Sequence, residues 1–382
     1  MLPPLAAAQI DDIRQQVQSG KPHWGDAECH IPVERYFSKA QWEAERDILF
    51  RRYPLIVAHS SEIKPGQVMP HDGYGVPLLL SRDAEGTLRC FLNVCRHRGM
   101  RLVESTQPQD KPSVVCPYHG WTYKLTGEFR HMLHPESFDT CPAGARDLAA
   151  LPCEERHGLV WVVPSVDGVL DLDKYLGALN TELPFFELDQ HVVFRTIEAE
   201  YPANWKLIVD AFLESYHIRV LHRDTIYPFF ADCLTASKHV GPHIHSLVAR
   251  RPATEPFEQP QTHDELRRLT TPSQILFPNT ITIFHPDYLS LVSLYPTGPE
   301  TLRWMHRMVI PKDKATPEWA PHWEKTFSLI EKGVFQKEDI HTAVGIQKGL
   351  KTGANTHLTC GRIECGLGWF HSDVQAAIET SA

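Results

Sequence analysis

No stretch of this 382-residue sequence reaches the roughly 18 consecutive apolar residues needed to cross a bilayer, and its opening, MLPPLAAAQIDDIRQQ, lacks the basic start and apolar core of an export signal. The two absences argue against a membrane span and for a cytoplasmic chain. Basic surface is scarce as well: 38 Lys and Arg against 47 Asp and Glu leave a net charge of -9, which speaks against nucleic acid as a partner and for a small molecule or another protein. There is no internal repeat and no low-complexity tract. The nine cysteines are an odd number scattered along the chain, so free thiols, metal ligands or both are expected rather than a disulfide framework. What is present is enough apolar content, 42%, to bury a sizeable core, and a length that suits two domains.

Local periodicity divides the chain. From about residue 50 to 130, β-rich runs (YPLIVAHS, VPLLLSR, LRCFLNV, SVVCPYHGWTY) alternate with Gly, Pro and Asp, and GLVWVVP closes the series, predicting a small antiparallel β domain. The pattern then changes. HVVFRTIEAEY reads as a strand, NWKLIVDAFLESYHIRVLH as a helix, and ILFPNTITIFH, YLSLVSLYP and LRWMHRMVIP as three further strands of a larger α+β domain. WEKTFSLIEKGVFQKEDIHTAVGIQKGL has helical spacing over much of its length, with Gly353 as its stop.

The chemistry is concentrated in CRHRG at 95–99 and CPYHGW at 116–121, two Cys–His pairs spaced C-x-H and C-x-x-H. Thiolates and imidazoles are ligands of zinc and of iron–sulfur clusters, and the Gly and Pro beside each pair permit a tight ligand loop. Cys95 and Cys116 as core thiols beside incidental histidines is the plainer reading, and two matched pairs in adjacent loops argue against it. Composition does not choose between zinc and a [2Fe–2S] unit. The unequal spacings favour the latter, with both thiolates on one iron and both imidazoles on the other.

These loops resemble the cluster-binding loops of the Rieske domain. Tyr118, Gly120 and Trp121 also match its pattern, and the 18 residues between His97 and Cys116 are slightly more than is common there. Rieske ferredoxins and the large (α) subunits of Rieske non-haem iron oxygenases share the pattern, but a ferredoxin would end near residue 165. In NWKLIVDAFLESYHIRVLH the ionisable set is Asp210, Glu214, His217 and His222. On a regular helix Asp210 and His217 share a face and His222 falls about 140° from His217, so the two histidines need a bulge or a helix end between them to converge. Surface polar residues or satisfied core histidines are the bland alternative. The segment resembles the oxygenase α-subunit motif N-W-K followed by D/E-x-x-H-x-x-x-x-H, which puts Asn204, Trp205 and Lys206 at N-W-K and His217 and His222 at the two Fe(II) ligands. Two histidines and one carboxylate leave open positions on Fe(II) for dioxygen. FQKEDIHTAVGIQKGL resembles the late helix that supplies the carboxylate in the family, with Asp339 at the ligand position and Glu338 as the fallback.

The resemblance covers about residues 45–375 and implies an α+β protein: an N-terminal helical segment, 1–44, packing on the catalytic domain; a Rieske-type antiparallel β domain, 45–165; and a helix-grip catalytic domain, 166–382. Cys95, His97, Cys116 and His119 would hold a [2Fe–2S] cluster, and His217, His222 and Asp339 a mononuclear Fe(II). Electrons would come from NAD(P)H through a separate flavin or iron–sulfur reductase or a ferredoxin. The implied activity is hydroxylation, dihydroxylation or oxidative demethylation of a small aromatic or quaternary ammonium compound, as in aromatic catabolism, by a head-to-tail α3 homotrimer; the need for a β subunit is left open. Glu214 stands where most members carry the aspartate that links a cluster histidine of the neighbouring subunit to an iron-ligand histidine, and some members that attack quaternary ammonium substrates have glutamate there. Asp210 and Ala211 stand where many ring dihydroxylases have Glu-Asn, and Asp210 is the second catalytic candidate. A Rieske-type electron-transfer protein without oxygenase activity and a zinc-stabilised binding protein are the alternatives. Cys29 with His30, and His357 with Cys360 and Cys365, lack a matching second pair and read as ordinary thiols.

Overall fold

The computed structural model describes residues 2–73, 75–105, 107–138 and 144–380; Cys141 lies outside them. They form two compact units, one of Phe50–Asp171 and one of the chain up to Leu49 together with everything from Leu172 onward. The first unit is built of short antiparallel strands. Leu55–His59, Leu78–Arg82, Leu88–Leu92 and Leu159–Val162 fall where the β-rich runs predict them. SVVCPYHGWTY is not one strand but two fragments, Val114–Val115 and Thr122–Tyr123, because Pro117 and Gly120 interrupt it. The interruption is the ligand loop itself. Cys95 and Cys116 sit inside the apolar cluster of this unit, with Val68, Leu79, Phe91 and Trp121.

In the second unit a seven-stranded antiparallel sheet dominates. Its first strand, His191–Tyr201, pairs with its last, Thr301–Pro311, while the second, Phe230–Val240, forms the opposite edge. Residues 202–229 must therefore cross the whole sheet to reach it. ILFPNTITIFH is a hairpin rather than a single strand, Thr270–Leu276 turning back into Thr280–Phe284 at Pro278, which cannot donate to a ladder. The hairpin Phe230–Val240 and His243–Arg250 is absent from the sequence reading; its signals were the Gly241–Pro242 turn and the alternation in HIHSLVAR.

One face of the sheet carries Val248, Thr271, Ser273 and Ile283 toward the crossover, and Trp304 and His306 toward a late helical stretch, 320–350. The other face is covered by the helix Pro4–Ser19, whose Gln9 amide donates to the carbonyls of Ala236 (2.7 Å) and His245 (2.8 Å), and by Phe186 stacked on Phe284. The late stretch is regular α-helix at Ala320–Phe327 and His341–Leu350 but wider, π-helical winding at Ser328–Ile340. There residues five apart meet, as Gln336 and Glu331 do at 2.9 Å.

The N-W-K triplet has a structural reason. Asn204 caps the helix Trp205–Phe212, its side-chain oxygen accepting the N–H of Lys206 at 3.0 Å. The Trp205 indole and the Lys206 ammonium then both donate to the carboxylate of Glu45, at 2.9 and 2.7 Å, with all three side chains essentially out of solvent. Removing the cation strands a buried charge, which costs about 3–5 kcal/mol. Lys206→Met should therefore lower the thermal midpoint by several degrees, and Glu45→Gln in the same chain should recover part of the loss. A Lys206→Met chain that melts with the wild type would show that this pair does not hold the segment.

Candidate functional site

The two Cys–His loops fold alike despite their different spacings. The N–H of Cys95 donates to Met100 (2.7 Å) and that of Gly99 back to Cys95 (3.0 Å); Cys116 and Gly120 do the same with Trp121 and Cys116, at 2.8 and 3.1 Å. Gly99 and Gly120 have φ of 76° and 69°, a conformation that costs glycine nothing. Within this shared frame, His97 and His119 bring their ring centroids to 4.7 Å, edge to face, and the Trp121 ring stacks on His97 at 4.9 Å. Both thiols are buried, while both imidazoles are half exposed.

These residues fit a two-iron cluster better than zinc. A tetrahedral zinc would hold all its ligand atoms within about 4 Å of one another, yet among the described residues only His217, His222 and Asp339 bring three candidate ligand atoms within 4.8 Å. A cluster with its thiolates on one iron and its imidazoles on the other separates the two ligand types. The Nδ1 of His119 is buried without a hydrogen-bond partner, as suits an atom reserved for a metal. Tyr123 adds a hydrogen bond: its hydroxyl accepts the N–H of Arg96 (3.0 Å), leaving its proton for Cys95 Sγ at 3.3 Å, and burial together with that sulfur raises its pKa.

The second site is made by a break in the helix. Instead of the continuous helix expected over NWKLIVDAFLESYHIRVLH, the chain leaves helical form after Phe212 and resumes at Ile218–Leu221. Glu214 causes the restart: its carboxylate accepts the backbone N–H groups of Tyr216 and His217, while Ser215 Oγ meets Thr235 Oγ1 of the edge strand at 2.7 Å. His217 and His222 consequently stand at the two ends of a four-residue helix. Each then has one nitrogen fixed. His217 Nδ1 is hydrogen-bonded to Glu214, and His222 Nδ1 to Glu338 at 2.7 Å. The free Nε2 atoms both face Asp339 Oδ1, at 3.9 and 3.1 Å.

This arrangement separates the adjacent carboxylates of Glu338 and Asp339. Glu338 is occupied by His222 and by the Thr225 hydroxyl (2.9 Å), and Asp339 completes the cluster of facing donor atoms. Burial depresses the His222 pKa, but the hydrogen bonds and charges of Asp339 and Glu338 outweigh it and raise the pKa overall. The site favours a positive charge, which a divalent cation supplies. The late helix is tied down nearby by the buried contact of Glu331 with His306 Nδ1, at 2.7 Å. The roles of Glu338 with Thr225, and of Glu331 with His306, were invisible in the sequence, since nothing local marks which carboxylate a distant histidine will meet.

Asp210 does not touch either histidine of the site. Its carboxylate accepts the Tyr36 hydroxyl at 2.7 Å and meets His371 Nε2 at 2.9 Å, deep in the unit. Two cavities adjoin the facing donors. One of about 500 Å³ is walled by Phe212, Ile283, Val334 and Phe335; the other, of about 390 Å³, is bordered by Asp210, Cys360 and Glu364; Glu214, His217 and Asp339 line both. Cys29 and Cys360 are paired across two short strands, and neither they nor Cys365 join a metal-holding group among the described residues. At the other site, Tyr123→Phe removes a donor from a thiolate and should lower the midpoint potential of a [2Fe–2S] centre there by on the order of 50 mV. A redox titration giving the wild-type potential would show that this hydroxyl does not reach the sulfur.

Residues 188–380 match the family described as ring hydroxylating alpha subunit (catalytic domain), and residues 53–142 match the Rieske [2Fe-2S] domain. The carnitine monooxygenase oxygenase subunit of Escherichia coli (strain K12) is 28% identical over 329 residues, covering 84% of each chain. The glycine betaine monooxygenase oxygenase subunit of Chromohalobacter salexigens is 33% identical over 272 residues, 69% of this chain and 57% of that one. In fold, the chain is similar to a quaternary ammonium Rieske monooxygenase solved with L-carnitine, with a TM-score of 0.75 at 21% identity, over 95% of this chain and 97% of that one. The two loops and the broken helix thus belong to one machine, and the chain is a member of the Rieske non-haem iron oxygenase α subunits, which use reductase-delivered electrons and dioxygen to oxidise a small organic molecule.

Proposed function

We propose that the chain is the terminal oxygenase of a system that hydroxylates or oxidatively demethylates a small quaternary ammonium compound, with its iron(II) held by His217, His222 and Asp339. The observation that carries the site is the disposition of the two imidazoles, each with Nδ1 engaged by a glutamate and Nε2 turned to Asp339. Three features support the substrate class. Curated relatives are named for carnitine and glycine betaine. Glutamate stands at position 214, and Asp210 with Ala211 replaces the Glu-Asn of many ring dihydroxylases. Phe212, Phe335 and Tyr288 line the larger cavity, and aromatic faces attract quaternary ammonium groups.

Iron(II) at the triad supplies dioxygen activation, and a [2Fe–2S] cluster at Cys95, His97, Cys116 and His119 supplies electrons singly. The remaining work belongs to side chains. Glu214 and Glu338 keep the proton of each histidine on Nδ1, so that both Nε2 lone pairs point at the metal position. The apolar wall of Phe212, Ile283 and Phe335 keeps bulk water from the reacting carbon. Glu214 lines both cavities, and the assembly would bring a cluster histidine of a neighbouring protomer to its carboxylate; Asp210, held by Tyr36 and His371, borders the smaller cavity. The assembly this requires is a head-to-tail homotrimer served by a reductase or ferredoxin in the cytoplasm. In it, residues 45–165 carry the cluster, 166–382 the iron, and 1–44 brace the catalytic part. No helix among the described residues is long and apolar enough to cross a membrane.

Substrate-dependent NADH consumption with a surrogate reductase, followed across quaternary ammonium compounds, aromatic acids and aromatic hydrocarbons, tests the assignment. Turnover confined to hydrocarbons, with diol products, would overturn the substrate class. Asp339→Ala should lose one iron per chain while keeping cluster colour. Glu338→Gln should keep that iron with roughly 10- to 100-fold weaker affinity, the usual range when a partner of a ligating histidine is removed. The opposite ranking would make Glu338 the ligand. Glu214→Gln should keep both centres but lose at least about tenfold in product formation. In a single turnover from a pre-reduced cluster its reoxidation should be slow, and reoxidation at the wild-type rate would leave Glu214 without a bridging role.

A further inference from the structure

Arg250 ends the strand His243–Arg250 and, two residues beyond Val248 on the same strand face, lines the larger cavity. It is the only lysine or arginine among the lining residues. A guanidinium offers five N–H donors in a planar fork, yet among the described residues Arg250 makes a single side-chain hydrogen bond, to Thr271 Oγ1 at 3.3 Å, and no ion pair. Its guanidinium carbon lies over the rings of Phe229 and Phe230, 5.8 and 5.3 Å from their centroids. Withdrawing a cation from water without a counter-ion is costly, and burial indeed pulls its pKa down from the ordinary arginine value.

The neighbouring groups leave the fork available. Asp287 is close enough for its charge to favour the cation, but its carboxylate is hydrogen-bonded to His322 at 2.7 Å. His285 is half-buried and stacked on Tyr288 at 4.2 Å, and desolvation, with the Arg250 charge beside it, lowers its pKa well below the ordinary histidine value. Thr271 and Ser273 set hydroxyls along the same wall. The cavity thus has one apolar and aromatic side, the facing donors of His217, His222 and Asp339 at one place, and a single cationic fork at another.

We propose that Arg250 is the substrate anchor and that the substrate carries a carboxylate, bound by the guanidinium through two parallel N–H···O bonds while the carbon to be oxidised faces His217, His222 and Asp339. This rests on the reading of that cavity as the oxygenase pocket and deepens it: of the quaternary ammonium compounds, those with a carboxylate are selected and those with an uncharged end are not. Bidentate guanidinium–carboxylate pairs in a partly dry cavity are strong and direction-specific. The distance from the fork to the iron position then sets which carbon of the chain is presented.

Binding to the iron- and cluster-loaded protein, followed by titration calorimetry without reductase, separates this from the wider assignment. The probes are two carboxylate–alcohol pairs, glycine betaine with choline and benzoate with benzyl alcohol, together with γ-butyrobetaine and carnitine. In the wild type, at least one carboxylate should bind roughly tenfold or more tightly than its alcohol counterpart. Arg250→Gln should erase that preference without weakening the binding of either alcohol, and Arg250→Lys, which keeps charge but loses the fork, should fall between. Carboxylate affinity unchanged in Arg250→Gln, or choline and benzyl alcohol binding the wild type as tightly as glycine betaine and benzoate, would overturn the proposal. If benzoate alone shows the Arg250-dependent preference, the anchor stands and the quaternary ammonium assignment falls. The wild-type comparison decides even where a variant does not fold.

Discussion

His217 and His222 are five positions apart, which on a regular α-helix turns their side chains about 140° from each other. The facing of their Nε2 atoms on Asp339 depends on removing that angle, and the chain does so with a local competition: the Glu214 carboxylate takes backbone N–H groups that a continuing helix would have paired internally. The same carboxylate also holds His217 Nδ1, so the group that breaks the helix orients the ligand that the break creates. Glu338 holds the other imidazole from a separate element, and the wider winding at Ser328–Ile340 lets two successive carboxylates serve different atoms of that ring.

Around this centre the sheet supplies rigidity. Because Phe230–Val240 lies at the far edge from His191–Tyr201, the connection between them is stretched across a sheet face, and the ligand segment is that connection. Its start is held by the buried contacts of Trp205 and Lys206 with Glu45, its turn by Ser215 on Thr235, and the opposing helix by Glu331 on His306. Each of these is polar and largely removed from water, where an unpaired member would be expensive. The larger cavity lies between elements held in this way, which fixes the separation of Arg250 from the facing donor atoms of His217, His222 and Asp339.

Much of this was legible in the sequence where a residue type has one strong local meaning. The ligand loops could be read because Gly99 and Gly120 and the cysteine and histidine side chains leave few alternatives, and the strand His191–Tyr201 because its residues alternate. The need for a break between the two histidines followed from helix geometry alone, but not its position, since Glu214 could equally have pointed to solvent. Pro278 was missed as a turn because the apolar run before it resumes at Ile281, with only two residues intervening. The hairpin leading to Arg250 was missed because its first strand, FADCLTASKHV, mixes polar and apolar residues without a clean period. Asp210 looked like a partner of His217 on an unbroken helix; once the helix breaks, Tyr36 and His371, from the two ends of the chain, claim its carboxylate. Contacts between residues so far apart in sequence are set by topology rather than by local propensity.

The central claim is that two imidazoles with glutamate-held Nδ1 atoms and one aspartate converge on a single metal. Crystals of the iron-loaded protein, grown without oxygen and measured at the iron absorption edge, test it most directly. The account predicts one anomalous peak bonded to His217 Nε2, His222 Nε2 and the Asp339 carboxylate, with Glu338 outside the coordination sphere, and a separate two-iron peak between the loops of Cys95 and Cys116. A mononuclear peak coordinated by Glu338, or by either histidine through Nδ1, would contradict it.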